Sequence, residues 1–340
     1  MKTRSDQAIC RYGASVMSRY LAALRQELAG VRQGVDIEAI HRMRVASRRM
    51  RSALTLFESC YPNKHRVLWR NEIRQLTRAL GHARDTDVQI DFLHSFLTGL
   101  QDKHCRPGVN RLMLRLRQRR AGLQNKVVLA LDELQKSGAL ESLEEQTNLQ
   151  IVERLPGEPV SFSLYNQAQK AISENLNIFQ GYEKYITDPS AAAELHAMRI
   201  AAKQLRYTLE IFSPLYPDEL KSSYQSVKSA QEMLGDIHDC DVWSVLIPKF
   251  LEKERQRVVK FYGHAGFYKS LLAGIECFQQ DRLAFRTETY QKFLGIWEKW
   301  KNDGQWNLLN ESISMPTRHN PQQEFYPSAA PSLQVDAKDE

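Results

Sequence analysis

The sequence predicts an all-α protein made from two copies of one helical unit. Three observations carry the prediction. Leu, Ala, Arg, Gln and Glu abound, while 340 residues include only 16 Gly and 12 Pro, a composition that favours helices over a β-sandwich or barrel. Apolar residues recur at threes and fours along most of the chain. A 22-residue segment returns at an offset of 155. The length suits two domains or one large duplicated one, and 42% apolar residues suffice for a core.

Taken in order, Ile9, Tyr12, Val16, Tyr20, Leu24 and Leu28 space a first helix over 8–29. Further helices are expected at about 38–59, 65–80, 86–100, 108–136, 162–180, 191–213, 219–234, 240–260, 266–279 and 281–300. Gly81 and Gly235 read as helix ends, and Tyr61-Pro62 and Tyr216-Pro217 stop two others. The stretch 141–161 holds two prolines and reads as a linker between a first repeat (about 5–140) and a second (about 162–302). In the tail 303–340, the part beyond Met315 is rich in Pro, Asn, Gln and Ser and reads as disordered or loosely attached.

No apolar run reaches the ~18 residues of a membrane span. The N-terminus has charges but no apolar core, which argues against a secretory signal. Cys10, Cys60, Cys105, Cys240 and Cys277 lie far apart without a C-x-x-C pair. That spacing excludes a recognisable zinc ribbon, argues against a disulfide scaffold and points to a reducing cytoplasm.

The formal net charge of +7 is unevenly spread. Residues 1–155 hold 27 Lys/Arg and 16 Asp/Glu, whereas 156–340 hold 20 and 24. Within 41–126 there are 19 basic and 6 acidic residues, mostly arginine among the bases. Arginine suits bidentate contact with phosphate or carboxylate oxygens.

The repeat organises this charge. HRMRVASRRMRSALTLFESCYP at 41–62 realigns on HAMRIAAKQLRYTLEIFSPLYP at 196–217, with nine of 22 positions identical. LGHARDTDV at 80–88 realigns on LGDIHDCDV at 234–242 with one gap. On a helix, His41, Arg44, Arg48 and Arg51 fall within about 80° of arc. Met43, Ala46, Met50, Leu54 and Phe57 form the opposite, core-facing stripe. The second copy presents His196, Arg199, Lys203 and Arg206 against Met198, Ala201, Leu205, Leu209 and Phe212. Like charges at this spacing cost about a few tenths of a kcal/mol per pair, and no Glu interrupts 41–57. An uncompensated stripe that occurs twice implies an anion supplied from outside.

The competing structural reading pairs these arginines with Asp85, Asp87, Asp239 and Asp241, but the 13 surplus charges of 41–126 exceed what that segment can pair. A further basic stripe, Arg111, Arg115, Arg119 and Lys126, runs beside Leu112, Leu116, Leu123, Val127 and Leu134 and reads as second-rank or as a solvated flank. Arg74 has a basic counterpart in Lys228, and both join Arg84 in the second rank. Arg49 lies about 140° from Arg44, at the edge of the stripe or towards solvent.

Residues 41–57 and the intact L-G-x-x-R-D-x-D-V of 80–88 resemble the CHAD family, the conserved-histidine α-helical domain. Phe293 to Trp297 resembles the family's closing F-x-x-x-W helix, and Gln204 stands where the second copy of the family pattern can carry another base. The resemblance covers roughly 5–302. It implies two pseudo-symmetric antiparallel helical bundles around a basic central cleft. It also implies binding of inorganic polyphosphate and association with polyphosphate granules in the cytoplasm. A CYTH triphosphatase unit often accompanies such domains, and the resemblance leaves no room for one here. A linear phosphate polymer offers spaced charges and no bases to read, which matches stripes of guanidinium groups.

Nucleic acid is the nearest alternative partner. Single-strand binders add aromatic platforms, the cationic arc holds none, and Tyr207 has Ser52 in the other copy, so RNA is expected to compete weakly. Metal-dependent phosphoanhydride hydrolysis would need held carboxylates. The candidates Asp85, Asp87, Asp239 and Asp241 read instead as helix N-caps or as partners that orient arginines. A histidine with arginine at i+3 is a poor metal ligand, so His41 and His196 are expected to donate to phosphate. No G-x-x-x-x-G-K-[ST] loop occurs. The expectation is therefore a non-catalytic protein with no metal, no cofactor and no membrane span. His65, His94, His104, His264 and His319 read as structural or surface, and Trp69, Trp243, Trp297 and Trp300 as core.

Overall fold

A computed structural model of the chain describes residues 6–151, 161–216 and 218–314. Among the described residues every regular element is a helix. The first half comprises α1 (Gln7–Gln26), α2 (Leu28–Gln33), α3 (Ile37–Leu56), α4 (Asn63–Gly99), α5 (Arg106–Lys136) and α6 (Ala139–Asn148). The second comprises α7 (Phe162–Gln180), α8 (Ala192–Phe212), α9 (Lys221–Tyr262), α10 (Gly266–Asn302) and α11 (Gln305–Ser314). None is long and apolar enough to cross a membrane.

The apolar stripes read from the sequence are the core. Met43, Met50, Leu54 and Phe57 of the first copy and Met198, Leu205, Leu209 and Phe212 of the second have no exposed surface. One cluster runs through both halves, joining residues of α1, α3 and α4 to residues of α7, α8 and α9. Phe57 and Phe212, which align in the two matched sequence segments, meet edge to face at 6.0 Å. Tyr12 stacks on Phe212, and its hydroxyl donates to the Ile211 carbonyl at 2.6 Å. Gly13 makes this possible, because a Cβ there would stand 2.6 Å from the Phe57 ring. A second, smaller core joins Leu93, Leu112 and Leu116 to Trp243, Ile247, Phe250 and Phe278. Trp69, Trp297 and Trp300 are also buried, as their spacing suggested.

Four expectations are corrected. Gly81 and Gly235 do not end helices; α4 and α9 run straight through them. Asp85, Asp87, Asp239 and Asp241 therefore lie within helices and cap nothing. The supposed linker begins inside α6, and only 152–160 falls outside the described residues, as do Pro217, His319 and the tail beyond 314. Cys10 and Cys60 form a disulfide that ties α1 to the turn after α3. Their 50-residue separation carries no recognisable spacing, and only packing brings them together.

Candidate functional site: a cationic groove where α3 meets α8

The cationic helices α3 and α8 pack against each other. Two polar contacts clamp them: Arg49 pairs with Glu210 through Nε at 2.7 Å and Nη2 at 3.0 Å, and Ser52 Oγ donates to Gln204 Oε1 at 3.3 Å. Arg48 and Lys203, aligned positions of the two matched sequence segments, become neighbours, flanked by Arg44 and Arg199. The two stripes thus meet rather than lying on opposite faces of the molecule.

They line a cavity of about 590 Å³. Seven cationic side chains reach it (Arg44, Arg48, Arg51, Arg70, Arg74, Arg199 and Lys203), and no carboxylate of the described residues lines it, although Glu58 pairs with Arg70 at 2.8 Å and Asp85 with Arg44. Ser52, Thr55, Asn71, Gln204 and Tyr207 supply neutral polar groups. Arg48, Arg51, Arg74 and Lys203 make no ion pair among the described residues. Arg48 Nη1 and the Tyr207 hydroxyl are buried without a hydrogen-bond partner. The Arg48 guanidinium stands 5.5 Å from the Tyr207 ring centroid and that of Arg206 5.2 Å from it, so the ring offsets part of their mutual repulsion. Burial is the main reason the Lys203 pKa falls well below the usual lysine value, with Arg48, Arg199, Arg44 and Arg206 adding to the shift. The same causes, burial first, lower Arg44 and Arg51.

Arg44 and Arg199 also line a second cavity of about 370 Å³, so the groove continues past them. Here acids mix with bases: Asp85, Asp236 and Asp239 join Arg84, Arg282, His196 and His238. Arg44 Nη2 donates to Asp85 at 3.2 Å. Asp87 and Asp241, matched in the repeats, each accept from an arginine of the following helix: Arg120 at 2.7 Å and Arg286 at 2.6 Å. The imidazoles of His196 and His238 lie 3.9 Å apart. Burial and neighbouring cations lower the pKa of His196, and burial, His196 and Arg199 bring His238 to about 4. Both rings are neutral at pH 7. Asp239 is pushed up to about 6, chiefly by burial. No cluster of three or more His, Cys, Asp or Glu is placed to hold a metal among the described residues.

The placement of the expected residues divides. Arg44, Arg48, Arg51, Arg199 and Lys203 line the first cavity, joined by Arg74 from the second rank, and His196 and Arg84 line the second. His41 does not face the groove: it is fully buried, because α1, α2 and α4 cover the first turns of α3. Arg206 is only 1% exposed and acts through Tyr207 and Lys203 rather than at the cavity wall. Arg49 is neither at the edge nor in solvent, since Glu210 holds it between the helices. Lys228 and Arg111 line none of these cavities, while Arg115 and Arg119 line a third. Sequence reasoning undervalued Tyr207 and missed Arg70 and Gln204 as groove residues. Tyr207 adjoins Arg206 in sequence, but nothing there showed that its hydroxyl is unpartnered.

Fold and groove together define an all-α protein with a cationic channel at a helix crossing. The chain belongs to the CHAD domain family, whose model matches residues 15–248. Among solved structures it is similar to the CHAD domain from the plant Ricinus communis, with 24% identity over 83% of this chain and 91% of that one and a TM-score of 0.59. It is also similar to PptA from Streptomyces chartreusis, with 15% identity over 86% and 98% and a TM-score of 0.53. These identities show a shared fold. No curated protein matches significantly.

Proposed function

We propose that the chain is a non-catalytic binder of inorganic polyphosphate, held first in the cavity between α3 and α8. One observation carries the reading: seven cationic side chains line that cavity, and four of them, Arg48, Arg51, Arg74 and Lys203, make no ion pair among the described residues. Folding such a cluster is costly unless an anion completes it, and a phosphate polymer presents about one charge per unit. Arg44, Arg48, Arg51, Arg199 and Lys203 form the proposed core, with Arg70, Arg74 and Tyr207 around them. Membership in the CHAD family supports the same ligand. A binder of long chains would travel with polyphosphate granules. Three of the four candidate carboxylates support a non-catalytic role, since Asp85, Asp87 and Asp241 each accept from an arginine and orient it.

The test is calorimetry with long-chain polyphosphate at two salt concentrations, with single-stranded RNA at equal phosphate as competitor and phosphate release followed in Mg²⁺. Tight binding that RNA does not displace, without release, is expected. Arg44→Glu with Arg199→Glu is expected to lower affinity by at least about 100-fold in a protein of unchanged circular dichroism, since each charged contact contributes about 1.5–3 kcal/mol. Native affinity in that folded double variant overturns the site. Equal competition by RNA makes the protein a general polyanion binder, and released phosphate makes it an enzyme.

A further inference from the structure

A cavity of about 770 Å³ lies between α5 and α9, beyond His196 and His238. It suits phosphate polymer poorly. Leu112 and Leu116 of α5 face Val242, Leu246 and Phe250 of α9 across it, and Val245 leaves 57% of its surface open to solvent. Phosphates laid against such walls would lose hydration without gaining donors. The far end carries a closed ion-pair cluster. Glu254, 1% exposed, accepts from Arg115 at 2.7 and 2.8 Å and from Arg257 at 3.1 Å, and pairs with Arg111 at 3.4 Å. Three other cations at this cavity, Arg119, Lys249 and Lys253, make no ion pair among the described residues, and Asp241, a carboxylate that also lines it, is held by Arg286 at 2.6 Å.

An apolar trough with uncompensated cations at its margin is complementary to a molecule with a hydrocarbon body and an anionic head. We propose that this cavity binds an amphiphilic anion, a single unbranched alkyl chain carrying a phosphate or carboxylate, with the chain between α5 and α9 and the head at Arg119, Lys249 and Lys253. The volume falls within the range of ligand pockets and admits one chain, not a bilayer. This site is independent of the polyphosphate reading and stands or falls without it.

Calorimetry with hexyl, octyl, decyl and dodecyl phosphate, each below its micelle concentration, tests the proposal. Affinity is expected to rise about fourfold per methylene until the trough is filled. Val245→Asp changes an exposed side chain and is expected to abolish the chain-length dependence while circular dichroism stays native. Lys249→Glu with Lys253→Glu is expected to lower the affinity of every homologue by a similar factor. The Arg44→Glu/Arg199→Glu variant is expected to bind decyl phosphate normally. Affinity independent of chain length, or native alkyl binding by Val245→Asp, overturns the proposal. So does a dimer that Val245→Asp dissociates without any alkyl binding, because the trough is then an interface between copies.

Discussion

Lys203 keeps only 6% of its surface exposed, and the four arginines around it all act against its charge. A polyanion in the proposed groove would offset those repulsions and raise the pKa of Lys203, His196 and His238. The neighbours His238 and Asp239 allow a test in the free protein. His238 stays neutral in the fold down to about pH 4 but protonates near 6.5 when unfolded. Its contribution is present above 6.5 and is lost as pH falls to 4. Asp239 stays protonated in the fold up to about 6 but ionises near 3.8 when unfolded. Its contribution is present below 3.8 and is lost as pH rises to 6. Other charges facing the pair (His196, Arg199, Lys203, Asp236, Asp85) are common to all variants. Between pH 4 and 6 the two slopes oppose each other. Asp239→Asn leaves the histidine slope, so its Tm is expected to fall more steeply than the native Tm as pH drops from 6.5 to 4. His238→Gln leaves the aspartate slope and is expected to melt lower as pH rises from 4 to 6. Each swing is of order 2 kcal/mol after allowance for partial exposure, and scanning calorimetry reads it. Three superimposable profiles would refute the assignment. The stripe itself was legible from the 3.6-residue period. That His41 at one edge is buried while Arg51 at the other is open was not, because a helical wheel gives angle but not which neighbour covers which turn.

α4 and α9 show what a period alone leaves open. Glycine followed by a polar segment reads equally well as a helix end or as a slot in a longer helix. Each glycine lies beside a groove arginine: a Cβ on Gly81 would stand 3.7 Å from Arg44 Nε, and one on Gly235 3.3 Å from Arg199 Nε. Gly235 gives Arg199 room to pass, whereas Gly81 leaves Arg44 at ordinary contact distance, each at a helix cost of about 1 kcal/mol relative to alanine. Gly81→Ala meets ordinary contact and is expected to stabilise the protein by up to about 1 kcal/mol in urea unfolding. Gly235→Ala must displace Arg199 by a few tenths of an ångström, so it is expected to gain less and to weaken polyphosphate binding. Equal gains with unchanged binding would show that neither glycine serves the arginines. The crossing of α5 with α10 is tighter still: a Cβ on Gly274 would overlap the Cys105 carbonyl, and one on Gly108 the Leu271 carbonyl. No periodicity in the sequence announced that contact.

Over the whole molecule, the groove joins a cation-rich side, where Arg48, Arg51, Arg74 and Lys203 make no ion pair among the described residues, to mixed charge beyond Arg44 and Arg199, and the proposed polymer binding there would release counterions. Its affinity is expected to fall steeply with salt, and the slope of log Kd against log salt is expected to flatten in Arg51→Gln with Arg74→Gln. An unchanged slope in that variant would remove both arginines from the contact. Composition and period alone determined an all-α chain, because helix preference and the spacing of apolar residues are local properties. The repeat determined that two cationic stripes exist, because matched segments impose matched faces. Tertiary structure decided that the stripes meet, with Arg48 beside Lys203, because that rests on how Phe57, Phe212, Gly13 and Tyr12 interlock. It also decided which basic residues are spent on acids. Arg49 with Glu210 and Arg115 with Glu254 lie 161 and 139 residues apart in the chain, and pairing across such separations follows from packing alone.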